Sequence, residues 1–172
     1  IVDATYLAAN ATMEMIPLDS TVAPMFMTNI GDARISTIGV FLSADHGLAC
    51  DVSVRAGARI DVSTRTVVDP SFRSMYGAYY PGVSLDRTAV ASSINAGVFW
   101  STAEDLELRT VVAYSERFPT HLEMYGFWLY DPQANIVTNG RPDLANESAL
   151  SATLGASYRI DDLTIQASGF VR

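Results

Sequence analysis

The chain has 172 residues, 49% of them hydrophobic and 17% charged, with a formal net charge of −8. An acidic chain with no Lys/Arg cluster, zinc-finger spacing or aromatic-basic motif repels phosphate, which argues against nucleic acid as a partner. The single cysteine, Cys50, excludes an internal disulfide, and no run of about 18 apolar residues exists to make a membrane-spanning helix, although spanning strands escape that test.

In chain order, the first segment runs from Ile1 to about Met13. Its opening IVDATYL is strand-like, while YLAANATMEM also fits a short helix. An export signal would lie upstream of this point. Ala33 to Ala44 alternates loosely, with Ile38, Val40 and Leu42 as the apolar set. Ala49 to Val62 alternates without a slip: Cys50, Val52, Val54, Ala56, Ala58, Ile60 and Val62 on one side, Asp51, Ser53, Arg55, Gly57, Arg59 and Asp61 on the other. Successive side chains on a strand point to opposite faces, so this pattern predicts one face against something apolar and one against water. Ordinary strands run about five or six residues, and a tilted strand crossing an outer membrane about 9 to 11, so the length favours a membrane barrel. Cys50, among the apolar positions, is expected to be a small buried hydrophobe.

Four more segments split by parity. Val90, Ile94, Ala96, Val98 and Trp100 oppose Ser93, Asn95 and Gly97; Leu106, Leu108, Thr110, Val112 and Tyr114 oppose Glu107, Arg109, Val111, Ala113 and Ser115. Leu150 to Ile160 and Leu163 to Val171 behave in the same way. The connectors alternate in length. Asp45 to Leu48, Thr102 to Asp105 and Asp161-Asp162 are tight turns, whereas about 14–32, 63–86 and 118–146 are long, rich in Pro, Gly, Tyr, Met and Asn, and without a clear period. Short turns at one rim and long loops at the other are the layout of an outer-membrane barrel. Trp100 and Tyr158 fall near the short-turn rim and Tyr114 near the other, where aromatic girdles sit. The expected fold is all-β: about seven long antiparallel strands forming part of a transmembrane barrel wall, a partial barrel domain over residues 1–172. An odd number of strands cannot close a typical bacterial barrel, so its edges call for neighbouring strands.

Several short motifs then resemble a known family. Gly57-Ala58-Arg59-Ile60-Asp61 resembles the G-x-R-x-D strand ending of TonB-dependent outer-membrane receptors, and Gly39-Val40-Phe41 the G-x-F strand before it. Arg117-Phe118-Pro119-Thr120 followed by Glu123-Met124-Tyr125-Gly126 resembles their R-x-P-[ST]…E-L-Y loop entry, and Asn139 to Glu147 their G-N-P-x-L-x-P-E segment. The sequence departs by carrying Arg141 where the family usually has Asn and Asn146 where it usually has Pro. The resemblance implies a 22-stranded barrel in the bacterial outer membrane, filled by an N-terminal plug domain and importing a scarce nutrient with energy passed through the TonB complex. The partners it implies are outer-membrane lipid, the plug and remaining strands, the TonB complex, and a small-molecule or metal-chelate ligand such as a ferric siderophore; no cofactor is expected.

Candidate site residues fall into three groups. Asp51, Arg55, Arg59, Asp61, Glu107, Arg109 and Arg159 make a two-signed polar lining, and acids with arginines nearby favour ordinary ion pairs over catalytic carboxylates. Tyr76, Tyr79, Tyr80, Phe127, Trp128 and Tyr130, with His121, crowd the long loops and are candidates to stack on a ligand. Met13, Met15, Met25 and Met27 flank the first long loop in two M-x-M pairs whose soft thioethers suit Cu(I), which opens an alternative as a copper receptor. No G-x-S-x-G or H-E-x-x-H is present. Competing classes are a small outer-membrane barrel enzyme and a soluble extracellular β-sandwich binding module; the latter would seal Val52, Val112 and Leu154 beneath a second layer.

Overall fold

The computed structural model describes residues 2–15, 25–131 and 133–172. Long strands β1 (Val2–Met15), β2 (Met25–Gly47), β3 (Val52–Val67), β4 (Arg87–Ala103), β5 (Leu106–Arg117), β8 (Glu147–Ile160) and β9 (Leu163–Val171) form one sheet in the order β1-β2-β3-β4-β5-β8-β9. Every neighbouring pair is antiparallel. A helix α1 (Pro70–Tyr79) lies between β3 and β4; helix α2 (His121–Tyr125) and a small hairpin of β6 (Leu129–Asp131) and β7 (Ile136–Thr138) lie between β5 and β8. The first segment is a strand rather than a helix, with register shifts between Ala9 and Thr12.

Register carries the side-chain alternation across the sheet. Leu42, Ala58, Ile94, Tyr114 and Leu150 stand in one row, Ala44, Ala56, Ala96, Val112, Ala152 and Val171 in the next row of the same face. Ser43, Gly57, Asn95, Ala113 and Ser151 lie between them on the opposite face. The apolar face is bare: Leu42 is 75% exposed and Leu154 66%. No second sheet covers it among the described residues, which removes the sandwich alternative. The apolar band on β3 runs from Val52 to Val62, about 33 Å along the strand at ~3.3 Å per residue, or ~25 Å tall at a tilt of ~40°, the height of a membrane barrel's outer apolar band. Beyond it, Ser36, Thr64 and Thr88 share a row on the same face. The strands therefore overshoot the band toward the long loops, and polar residues on both sides of that overhang hide it from a parity reading.

Two expectations are corrected at the short-turn rim. β2 continues to Gly47, so the turn occupies residues 48–51, closed by Leu48 and Ala49 amides donating to the Val52 carbonyl at 2.8 and 3.2 Å. Cys50 sits in this turn and is exposed rather than buried. Asp51 does not line the polar face either; its carboxylate accepts the Trp100 indole N–H at 3.0 Å and ties the turn to β4.

The packed core is small and lies outside the apolar band. Ala33, Val67, Phe72, Tyr76, Leu85, Met124, Tyr125 and Phe127 are buried together. Ala33 and Val67 are register partners on the polar face, so the long loops fold back over the polar face at its far end. No described helix is long and apolar enough to cross a membrane.

Candidate functional site

The polar face is organised by ion pairs and by glycines that make room for them. Asp45 and Arg55 stand opposite each other on β2 and β3, with Arg55 Nε donating to Asp45 Oδ2 at 2.6 Å. The Arg55 guanidinium also lies 4.4 Å over the Phe99 ring, a cation–π contact. Arg59 grips Asp61, two residues on along the same face, through Nε and Nη2 at 2.7 and 2.6 Å. Gly155 lies beneath Arg109: a Cβ there would come within 2.8 Å of Arg109 Nε. Gly57 likewise leaves space for the Asn95 amide. Between these pairs lies an open groove of about 690 Å³ lined by Phe41, Ser43, Arg55, Gly57, Arg59 and Asn95 among others. Glu107 and Arg159 keep the same parity close to the short-turn rim, Glu107 opposite Ser157 and Arg159 opposite Thr164.

At the other end, the loops form a folded cap. α1 starts where Asp69 accepts hydrogen bonds from the Ser71 and Phe72 amides at 2.9 and 3.2 Å, with Pro70 just inside, a strong N-terminus in both residue types. Arg73 on α1 pairs with Asp86 at 2.7 Å and donates to the Val67 carbonyl. The bond from Arg73 holds the Asp86 carboxyl below its usual range. α2 carries a capping box in which Thr120 accepts from the Glu123 amide and Glu123 accepts from the Thr120 amide. Glu123 is also held by Arg117, which bridges to Glu147 at 2.7 Å. Hydrogen bonds from Arg117 first, then from Thr120, pull the Glu123 carboxyl down to about 2. The R-x-P-T…E motif is thus one clamp: an arginine, a cap and an acid fastening the loop to β5 and β8.

Tyr76 joins these pieces. It is fully buried, and its hydroxyl faces the carbonyls of Gly140, Gly126 and Met124 at 2.7, 3.0 and 3.3 Å. Burial raises its pKa above the ordinary phenol value, and pushes that of Tyr125, whose hydroxyl donates to the Leu85 carbonyl, up to about 12. Phe72 stacks on Tyr76 and fills the space over Gly31, where a Cβ would lie 2.2 Å from the ring. Asn29 on β2 holds Phe127 from both sides: its carbonyl accepts the Phe127 amide, and its side chain donates to the Phe127 carbonyl at 2.9 Å. Trp128 then takes a left-handed backbone conformation, φ 51°, with its amide donating to Asn139 Oδ1.

Of the aromatic candidates, Tyr76 and Phe127 are spent in this core, which takes them away from solute, and His121 is buried as well. Tyr79 and Trp128 remain open, 52% and 43% exposed, both against the Phe127 ring. Tyr80 is partly buried against the core. The Tyr130 side chain lies outside the described residues, as do those of the four methionines; the backbone register pairs Met13 with Met27 and Met15 with Met25. Sequence reasoning missed Asn29, Arg65 and the Arg117–Glu123–Glu147 clamp. The clamp's signal was the T-x-x-E spacing at Thr120; α1's was Asp69-Pro70. Nothing in the sequence marks Asn29 or Arg65, whose partners lie some 60 to 100 residues away.

A single antiparallel sheet with a bare apolar band outside, ion-paired polar residues inside and a loop cap at one rim is the wall of a membrane β-barrel. A family model described as TonB dependent receptor-like, beta-barrel matches residues 4–172, and the chain belongs to that family. Among solved structures, the copper transporter OprC superposes with a TM-score of 0.69 at 18% identity, over 98% of this chain and 26% of that one, so this chain spans about a quarter of its length. No curated protein sequence matches the chain.

Proposed function

We infer that this chain forms wall strands and external loops of an active importer in the bacterial outer membrane, carrying a scarce metal as a chelate such as a ferric siderophore. The observation that supports this reading most is the polar face with its ion pairs behind the apolar band, capped at the long-loop end by a folded core that leaves Tyr79 and Trp128 open to solute. Half-exposed rings on a rigid mount suit an aromatic or chelated ligand at small entropic cost. Asp45 and Asp61 on that face are ion-paired to arginine, an arrangement that serves solvation and docking rather than acid–base chemistry. In this reading the plug, the remaining strands and the TonB complex are the partners that couple energy to passage. Uptake of a radiolabelled ferric chelate by cells carrying the full-length receptor is expected to stop when the proton-motive force is collapsed or TonB is deleted. Uptake indifferent to both overturns the reading.

One observation favours a second cargo. The backbone register pairs Met13 with Met27 and Met15 with Met25 across β1 and β2, which supports four soft donors gathered at one end of that strand pair. Thioethers suit Cu(I), and OprC is a copper transporter. Replacing all four by Leu in the full-length receptor is expected to abolish Cu(I) capture from a chromophoric chelator; undiminished capture rules this cargo site out.

A further inference from the structure

The geometry points to an acid-sensitive latch in the loop cap: neutral His121 lets α2 seat against Arg65, and protonation of His121 unseats it. This holds whatever solute passes beneath the cap. His121 is 9% exposed, its ring packs 5.2 Å from that of Tyr125, and neither ring nitrogen makes a well-formed hydrogen bond. The group facing it from β3 is Arg65, itself 4% exposed, with Nε lacking a partner, Nη1 against Met124 Sδ and the guanidinium 5.4 Å from the Phe118 ring. Arg87 stands directly opposite Arg65 on β4 and donates to the Leu144 carbonyl.

Among the described residues no carboxylate forms an ion pair with Arg65, Arg87 or His121, and the charge of Glu123 is only a minor influence on Arg65. Glu123, on α2 itself, is engaged by Arg117 and Thr120; Asp86 is engaged by Arg73. β2 presents the Gly31 backbone, with Asp32 exposed, and α1 presents the Tyr76 hydroxyl, already committed to carbonyls. A protonated imidazole would be a third cation beside buried Arg65 and half-buried Arg87. Burying a charge without a counter-ion is among the most destabilising events available to a fold. Its effect spreads because Met124 and Gly126, whose carbonyls meet the Tyr76 hydroxyl, lie in the same short stretch.

Burial, then the Arg65 charge, lowers the His121 pKa from 6.5, with the Gly31 backbone opposing more weakly. The fold therefore favours the neutral ring. Its contribution is complete above about 6.5, the ordinary value, and is lost as pH falls from there toward the depressed value of the folded state. Glu123, held to about 2, stays ionised through this window.

Hydrogen exchange of the full-length receptor in detergent micelles, corrected for intrinsic rates and followed over residues 118–128 from pH 8 to pH 5, tests the latch. Protection in the wild type is expected to fall by up to about tenfold per pH unit below the onset. His121→Phe keeps an aromatic ring and loses the proton site, so its protection should be flat; His121→Gln serves the same comparison should the Phe variant misfold. Arg65→Met, by removing the facing charge, should shrink the drop. Wild-type protection equal at both ends of the range, or an unchanged drop in the His121 variants, overturns the proposal. The readout is independent of uptake, so a failed import reading leaves the result interpretable.

Discussion

Val112 and Ala113 are neighbours on β5 that should answer the same substitution in opposite ways. Val112 stands in the apolar row with Ala96 and Ala152, and Ala113 in the polar row with Asn95 and Ser151. On β5 itself Val112 lies six residues from Leu106, the first residue of the strand at the short-turn rim. At ~3.3 Å per residue and a tilt of ~40°, that interval puts Val112 about 15 Å above the short-turn edge of the ~25 Å apolar band and about 10 Å below the other, close to the bilayer midplane. An arginine on the lipid face at that depth costs about 2 to 4 kcal/mol, which is roughly a 30- to 1,000-fold loss in the folding equilibrium. Ala113→Arg meets Asn95, Ser151 and water, and should stay within about 1 kcal/mol of wild type. Reversible urea unfolding of the full-length receptor in lipid vesicles, followed by the gel-mobility shift of the folded barrel, measures both. Equal costs for the two variants, or a larger cost for Ala113→Arg, would refute the assignment of the bare face to lipid.

The loop cap yields further expectations. Tyr76→Phe keeps the stacked ring but removes the hydroxyl from the buried carbonyls of Gly140, Gly126 and Met124, and should lower the cap's local stability by about 1 to 3 kcal/mol, read as lost exchange protection in α1 and α2. Gly31→Ala sets a methyl 2.2 Å from the Phe72 ring; overpacking of this kind costs about 1 to 3 kcal/mol, and Phe72→Leu in the same chain should restore part of it in thermal melts. Glu123 is held at about 2 against an ordinary 4.5, so its contribution is present above 4.5 and lost as pH falls toward 2. Exchange at residues 118–128 should therefore show a second loss of protection in that lower range, absent in Glu123→Gln.

The strands were legible because lipid and water enforce alternation residue by residue: Val52 to Val62 repeats it without a fault. Their ends were not, because above the band Ser63, Thr64, Arg65 and Thr66 are polar on both faces and carry no parity contrast. α1 was marked by Asp69-Pro70 and by Phe72, Met75, Tyr76, Tyr79 and Tyr80 at helical spacing, a stripe lost when the whole connection is read as a loop, and it packs through Phe72 and Tyr76 as its fully buried pair. The distinction between an aromatic left open at the surface and one that holds the cap could not be drawn locally. Tyr76 and Tyr79 are three residues apart on one helix, and the first is sealed by carbonyls 48 to 64 residues away. Cys50 was misread because alternation was extended into a turn whose closure depends on the Val52 carbonyl.

One phenol meets the backbones of two separate stretches of the long connection, before β6 and after β7, while its own helix hangs from β3. Segments fastened to a common rivet cannot drift apart singly. A push delivered anywhere on that external surface is shared by the whole roof, from Trp128 on one side to Asp69 on the other. Such a roof lifts or stays shut as one piece.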